Sequence, residues 1–128
     1  MRNIAIYKAT LDNEEIDQLK SVLQAKDDLS KVLEFEEKMV KYIGAKYAIA
    51  TATSTAALHL ALSSMRLKRG DKVLMSVNSF VNLPETVRHF DAEPIFVDIN
   101  LEDMNLDIEK FEEAIIANKS KKLRAAII

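Results

Sequence analysis

Tyr47-Ala-Ile-Ala-Thr-Ala-Thr-Ser-Thr-Ala-Ala-Leu-His-Leu-Ala-Leu62 is the stretch that decides how the chain is read. It opens as a short apolar run with the β-branched Ile49 and Thr51, which predicts a strand buried on both faces. Thr53, Ser54 and Thr55 then place hydroxyls where an N-cap belongs, and Ala56-Ala57-Leu58 begin a helix. A strand that turns abruptly into a helix leaves unpaired backbone N–H groups at the positive end of the helix dipole, a place for a phosphate. The chain has no Gly-rich fingerprint, so this is neither a Walker loop nor a dinucleotide-binding motif. Two readings fit the turn: an anion site and plain helix capping.

On the N-terminal side, Asp12-Asn13-Glu14-Glu15 reads as a capping box opening a helix. Ile16, Leu19, Val22 and Leu23 carry that helix at amphipathic spacing to about Ala25. After the polar break Lys26-Asp27-Asp28, a second helix starts near Ser30, with Val32, Phe35, Met39, Val40 and Ile43 on its buried side. Gly44 ends it in the left-handed C′ position. On the C-terminal side, the central helix runs to about Met65, and the polar turn Arg66–Asp71 leads to a strand from Lys72 to Val77. A helix follows Asn78-Ser79, with Pro84 tolerable only in its first turn and Val87 and Phe90 facing the core. Glu93-Pro94 marks a boundary before the strand Ile95-Phe96-Val97. Asp107 can cap a last helix carrying Ile108, Phe111, Ile115 and Ile116, and Ala125–Ile128 opens a further strand.

Three apolar strands separated by helices predict an α/β fold with a parallel sheet and right-handed crossovers. The last apolar run stops with the chain, without a turn or cap. Residues 1–128 are therefore expected to be an N-terminal piece of a larger domain. At 128 residues and 48% hydrophobic content the chain can bury a core. A balance of 18 basic against 20 acidic residues gives no electrostatic case for nucleic acid. No apolar run is long enough to span a membrane, and Met1–Ile6 does not read as a signal peptide. Zero Cys excludes a disulfide framework, and two distant His argue against a His-rich metal site. The expectation is a soluble cytoplasmic protein.

Several segments, in this order and spacing, carry a family likeness. They are Phe35-Glu36-Glu37 through Gly44-Ala45-Lys46-Tyr47-Ala48; Ser54-Thr55-Ala56-Ala57-Leu58-His59-Leu60; Gly70-Asp71-Lys72-Val73; Ser79-Phe80-Val81; and Ala92-Glu93-Pro94-Ile95-Phe96-Val97-Asp98-Ile99. Together they resemble the DegT/DnrJ/EryC1/StrS family over nearly the whole chain. The resemblance implies the large domain of the aspartate-aminotransferase (fold type I) architecture, with pyridoxal 5′-phosphate as cofactor. It also implies transfer of an amino group from an amino acid, glutamate being the expected donor, to a nucleotide-linked keto-sugar in polysaccharide or glycan biosynthesis. Family members are homodimers with active sites at the subunit interface. A same-family sugar dehydratase, with His in place of the Schiff-base Lys, is the alternative within enzymes. Outside enzymes, the alternatives are a non-catalytic cofactor-binding, regulatory or assembly module and an unrelated doubly wound phosphate binder.

By that resemblance, Ser54 and Thr55, with Thr53 beside them, bind the cofactor phosphate, and Phe80 stacks on its pyridine ring. Without it, these residues read as a helix cap and a core Phe. In the family the acid facing the pyridine nitrogen and the Schiff-base Lys lie downstream, and no Lys here matches that motif. No catalytic residue is therefore nominated, and these residues alone are not expected to transaminate. Two departures leave the keto-sugar open: Ala25–Ser30 is shorter than the family's Gly-containing loop, and Ser76 stands where Pro is common. His59, in the helix body, reads as packed or partly exposed, and His89 as a helix-end residue. Asp98 sits on the ligand-binding edge of the sheet but reads foremost as the cap of the following turn.

Overall fold

The computed structural model describes residues 7–25 and 30–128, so the polar break at Lys26–Asp28 lies outside the described residues. The chain divides into two units, Met1–Ala50 and Thr51–Ile128.

In the first unit, α1 spans Asn13–Gln24 and α2 spans Ser30–Ile43. The capping box forms as its sequence predicts. Asp12 accepts from the Glu14 N–H at 2.8 Å, and the Glu15 carboxylate accepts from the Asp12 N–H at 2.8 Å. The Glu14 N–H, with further hydrogen bonds from Glu15, holds the Asp12 carboxyl below its ordinary range. On α2, Glu34 lies 2.8 Å from Lys31 and 2.7 Å from Lys38. Hydrogen bonds from Lys31 and then Lys38 lower its carboxyl to about 2. Gly44 closes α2 at φ +74°, its N–H on the Val40 carbonyl. A Cβ there would meet nothing, so the requirement is the left-handed backbone alone. Met39 and Val40 are half-buried as expected, but Val32, Phe35 and Ile43 are exposed, as are Ile16, Leu19 and Leu23 of α1. Among the described residues of this unit nothing covers those faces.

The strand expected at the start of the deciding stretch does not form. Residues 47–51 belong to no sheet, and Ile49 is 71% exposed. A strand needs a ladder partner for its N–H and C=O groups. Here the Ala50 N–H is taken instead by the Glu36 carboxylate at 2.7 Å.

The second unit opens with α3, Ser54–Ser64, followed by β1 (Lys72–Ser76), α4 (Asn82–Arg88), β2 (Glu93–Val97), α5 (Ile108–Ala117) and β3 (Leu123–Ile127). The three strands form a parallel sheet in the order β2-β1-β3. This is the predicted fold class, with β2 starting at Glu93 rather than after Pro94. Pro94 is tolerated because β2 is an edge strand of this sheet.

Strand β1 has neighbours on both sides, and its alternation feeds two faces. Val73 and Met75 are 0% exposed and pack with Leu62, Leu67, Val87 and Ala92. Leu74, 1% exposed, points the other way, toward Phe111 and Ile115 of α5. The winding explains the two covers. From β1 the chain crosses to β2 on one side, then returns past β1 to β3. Right-handed crossovers in opposite directions put α4 and α5 on opposite faces. Replacing Met75 with Ala should cost about 2–5 kcal/mol, as for other large-to-small core substitutions. Urea unfolding of the intact protein checks this; a loss below about 1 kcal/mol would show that β1 is not the core of this unit.

Candidate functional site

The start of α3 supplies the first part of the site. Thr53 is its N-cap: the side chain accepts from the Ala56 N–H at 3.1 Å, and its carbonyl accepts from the Ala57 N–H at 3.1 Å. The Thr51 hydroxyl donates to the same carbonyl at 3.0 Å and braces the turn. Among the described residues, the N–H groups of Ser54 and Thr55 have no acceptor. The first turns of α1 and α5 carry carboxylates, Glu14 and Glu15 on the one and Glu109 on the other, whereas α3 carries none. Negative charge at a helix start is favourable, and at α3 the chain provides only hydroxyls.

The second part comes from the C-terminal end of β1. Phe80 lies in the turn that opens α4 and is 76% exposed, so the reading of a core Phe fails. Its carbonyl accepts from the Leu83 N–H at 3.0 Å, which fixes the turn. Two residues on, the Asn82 side-chain Nδ2 donates to the Thr55 hydroxyl at 2.7 Å. That bond ties the Phe80 turn to the start of α3. The Asn82 carbonyl in turn accepts from the Thr86 hydroxyl at 2.6 Å. Thr53, Ser54 and Thr55 are thus gathered at one helix start, with Phe80 two residues from the group that touches Thr55. Asn82 was not singled out by the sequence. An Asn at the start of a short helix carries no local signal beyond turn preference, and its partner lies 27 positions away.

The remaining candidates take structural roles. The His59 ring lies 4.7 Å from that of Phe90 and 6.2 Å from that of His89, along the helix body and away from its start. His89 caps α4, donating its N–H to the Glu85 carbonyl at 3.0 Å. Asp98 accepts from the Ile99 N–H at 2.9 Å, the turn-capping reading, and pairs with Lys110 at 2.7 Å. Among the described residues no cluster of His, Asp or Glu could hold a metal ion. Among the described residues no helix is long and apolar enough to cross a membrane.

The sequence pattern of the DegT/DnrJ/EryC1/StrS aminotransferase family matches residues 9–128. The chain belongs to that family. An uncharacterised protein of Methanocaldococcus jannaschii is 40% identical over 103 residues, covering 80% of this chain and 26% of its own length. GDP-perosamine synthase of Caulobacter vibrioides is 36% identical over 92 residues, covering 72% of this chain and 24% of its own. The solved E. coli GDP-4-keto-6-deoxy-D-mannose-3-dehydratase with bound hydrated PLP superposes with a TM-score of 0.83 at 25% identity, over 98% of this chain and 33% of that one. The fold is therefore the fold type I architecture. The chain spans about a quarter of the length of these curated relatives.

The Asp98–Lys110 pair gives the site's edge a testable electrostatic signature. The Lys110 hydrogen bond, then the Ile99 N–H, holds the Asp98 carboxyl below its ordinary value; Asp98 raises Lys110 in turn. A lowered carboxylate favours folding above its unfolded value and loses that contribution as pH falls through the folded one. A raised ammonium loses its contribution only as pH rises through the raised value. The pair is exposed, so its effect on stability is small, but Lys110→Met should move the Asp98 midpoint upward in an NMR titration. An unchanged midpoint would mean the ion pair does not form in solution.

Proposed function

We propose that this chain is the N-terminal part of the large domain of a pyridoxal-phosphate-dependent aminotransferase acting on nucleotide-linked keto-sugars. The observation that carries the proposal is the start of α3. Among the described residues the backbone N–H groups of Ser54 and Thr55 have no acceptor, both residues carry hydroxyls, and the exposed ring of Phe80 belongs to the turn whose Asn82 touches Thr55, in a chain of this family. Those groups suit the cofactor phosphate: the helix supplies donors and the favourable end of its dipole, and no carboxylate of its own first turn competes. Thr53 holds the turn in shape, Ser54 and Thr55 donate, and Phe80 offers a flat apolar wall for a planar ring. When bound, the cofactor supplies the electron sink that amino-group transfer needs.

The whole protein would take its amino group from an amino acid, glutamate being the natural candidate, and deliver it to the sugar for glycan or polysaccharide assembly. The curated relative that makes GDP-perosamine supports that substrate class. The solved sugar dehydratase favours one second reading, a dehydratase built on the same site. We place the enzyme in the cytoplasm as a homodimer. Large apolar side chains left exposed, among them Val81, Phe96 and Leu101, are the kind of surface a partner subunit covers.

The test compares pyridoxal 5′-phosphate with pyridoxal on the intact purified protein. The phosphorylated form should bind at least about tenfold tighter, as expected for hydrogen bonds to a charged group, and give an absorbance band at roughly 410–430 nm. Glutamate should bleach that band in an aminotransferase. Equal affinity for the two compounds would overturn the phosphate site, and bound cofactor without that band would shift the reading to the dehydratase, in which His replaces the Schiff-base Lys.

A further inference from the structure

Among the groups around the start of α3, Asn82 stands out because its amide is only half used. Its Nδ2 donates to the Thr55 hydroxyl at 2.7 Å, while its Oδ1 is buried with no partner among the described residues. A buried acceptor left unpaired is a cost to the fold. An apolar side chain at this position would avoid that cost, so the amide needs a reason to be there.

The reason lies in what the bond does to Thr55. A threonine hydroxyl has one proton to give and lone pairs to receive. Inside a helix, that proton commonly goes to the backbone carbonyl three or four residues back. At Thr55 it goes to none of the described groups, while one lone pair is occupied by Asn82. With the amide donating, the Thr55 proton has no acceptor among the described residues. We propose that Asn82 is a positioning residue: by donating to Thr55 it holds the hydroxyl as a proton donor toward the anion at the start of α3. The proposal rests on the phosphate-site reading given above and deepens it. Violations of local polar pairing are expected where function demands a particular geometry.

The experiment is a double-mutant cycle read as affinity of the intact protein for pyridoxal 5′-phosphate, with pyridoxal as the control ligand. Thr55→Ala should weaken pyridoxal 5′-phosphate by about tenfold and Asn82→Ala by roughly fivefold. In the Thr55→Ala background, Asn82→Ala should change affinity less than about twofold, since the two act as a unit. Neither change should move pyridoxal affinity, which shows that the fold and the ring contact survive. Asn82→Asp matches the shape but cannot donate. It accepts the Thr55 proton and adds negative charge, so it should weaken the phosphorylated ligand more than Asn82→Ala does.

An equal penalty for Asn82→Ala with and without Thr55 would overturn the positioning role. So would undiminished affinity in Asn82→Asp, which would mean that the amide oxygen faces Thr55 and receives its proton. If Thr55→Ala itself leaves affinity for the phosphorylated ligand intact, the phosphate site falls and the positioning role falls with it.

Discussion

Everything in the second unit depends on burying the middle of one strand from both sides. Val73, Leu74 and Met75 are consecutive, so their side chains alternate between faces, yet all three are almost fully excluded from water. That is possible only if helices cover both faces and strands flank both edges. The order β2-β1-β3, with the chain reversing its winding around β1, is the short route to that arrangement. Burial of the three side chains supplies about 1.5–3 kcal/mol each relative to exposure, which is large against the net stability of a domain. Once β1 is fixed, the turn after it is fixed too, and with it Phe80 and the start of α4.

The two ends of the sheet are built to different rules. At the N-terminal end of the strands, polar groups are closed off against one another. The Gly70 N–H donates to the Asp91 carbonyl and the Glu93 N–H to the Asp71 carbonyl. Buried Asp71 accepts from the Lys68 N–H at 2.9 Å, with Lys122 3.6 Å away, and Lys72 reaches Asn118 at 2.9 Å. Gly70 takes φ +76°, a backbone shape that other residues adopt at a cost, so this corner is specified by sequence. At the C-terminal end the loops meet more sparsely. Asn78 donates to the Met104 carbonyl at 3.1 Å, and donors and an aromatic face remain open. Open α/β sheets bind ligands at that end because the connections there are free to vary without disturbing the core.

How far the sequence could be read depends on whether each signal was local. The capping box, the Gly44 stop, the Asp107 cap and the strands around Val73 and Ile95 rest on a few neighbouring residues, and all appear where those residues place them. The strand expected around Ile49 fails because β structure is a property of pairs. Apolar, β-branched residues make a strand only when another strand lies alongside, and here a Glu36 carboxylate takes the Ala50 N–H instead. Helix faces suffer likewise, since amphipathic spacing says which side seeks cover but not what provides it. The site divides in the same way. Thr53 as cap was legible from its position, whereas the Asn82–Thr55 bond joins two distant segments and leaves no trace in either.

The turn at Thr53–Thr55 also shows why capping and anion binding need not compete. A helix begins with four unpaired N–H groups, and one side chain cannot serve them all. Thr53 serves the Ala56 N–H with its hydroxyl, while its carbonyl takes the Ala57 N–H as the first regular helical bond. Those on Ser54 and Thr55 have no acceptor among the described residues, at the end of the helix where the dipole is strongest. A cap of this kind secures the backbone without occupying the donors a ligand would use. Had the chain placed a carboxylate in that first turn, as it does in α1 and α5, the cap would be stronger and the rim already neutralised. Hydroxyls alone leave both the charge preference and the donors in place, and a neighbouring amide that holds Thr55 as a donor adds direction to that preference.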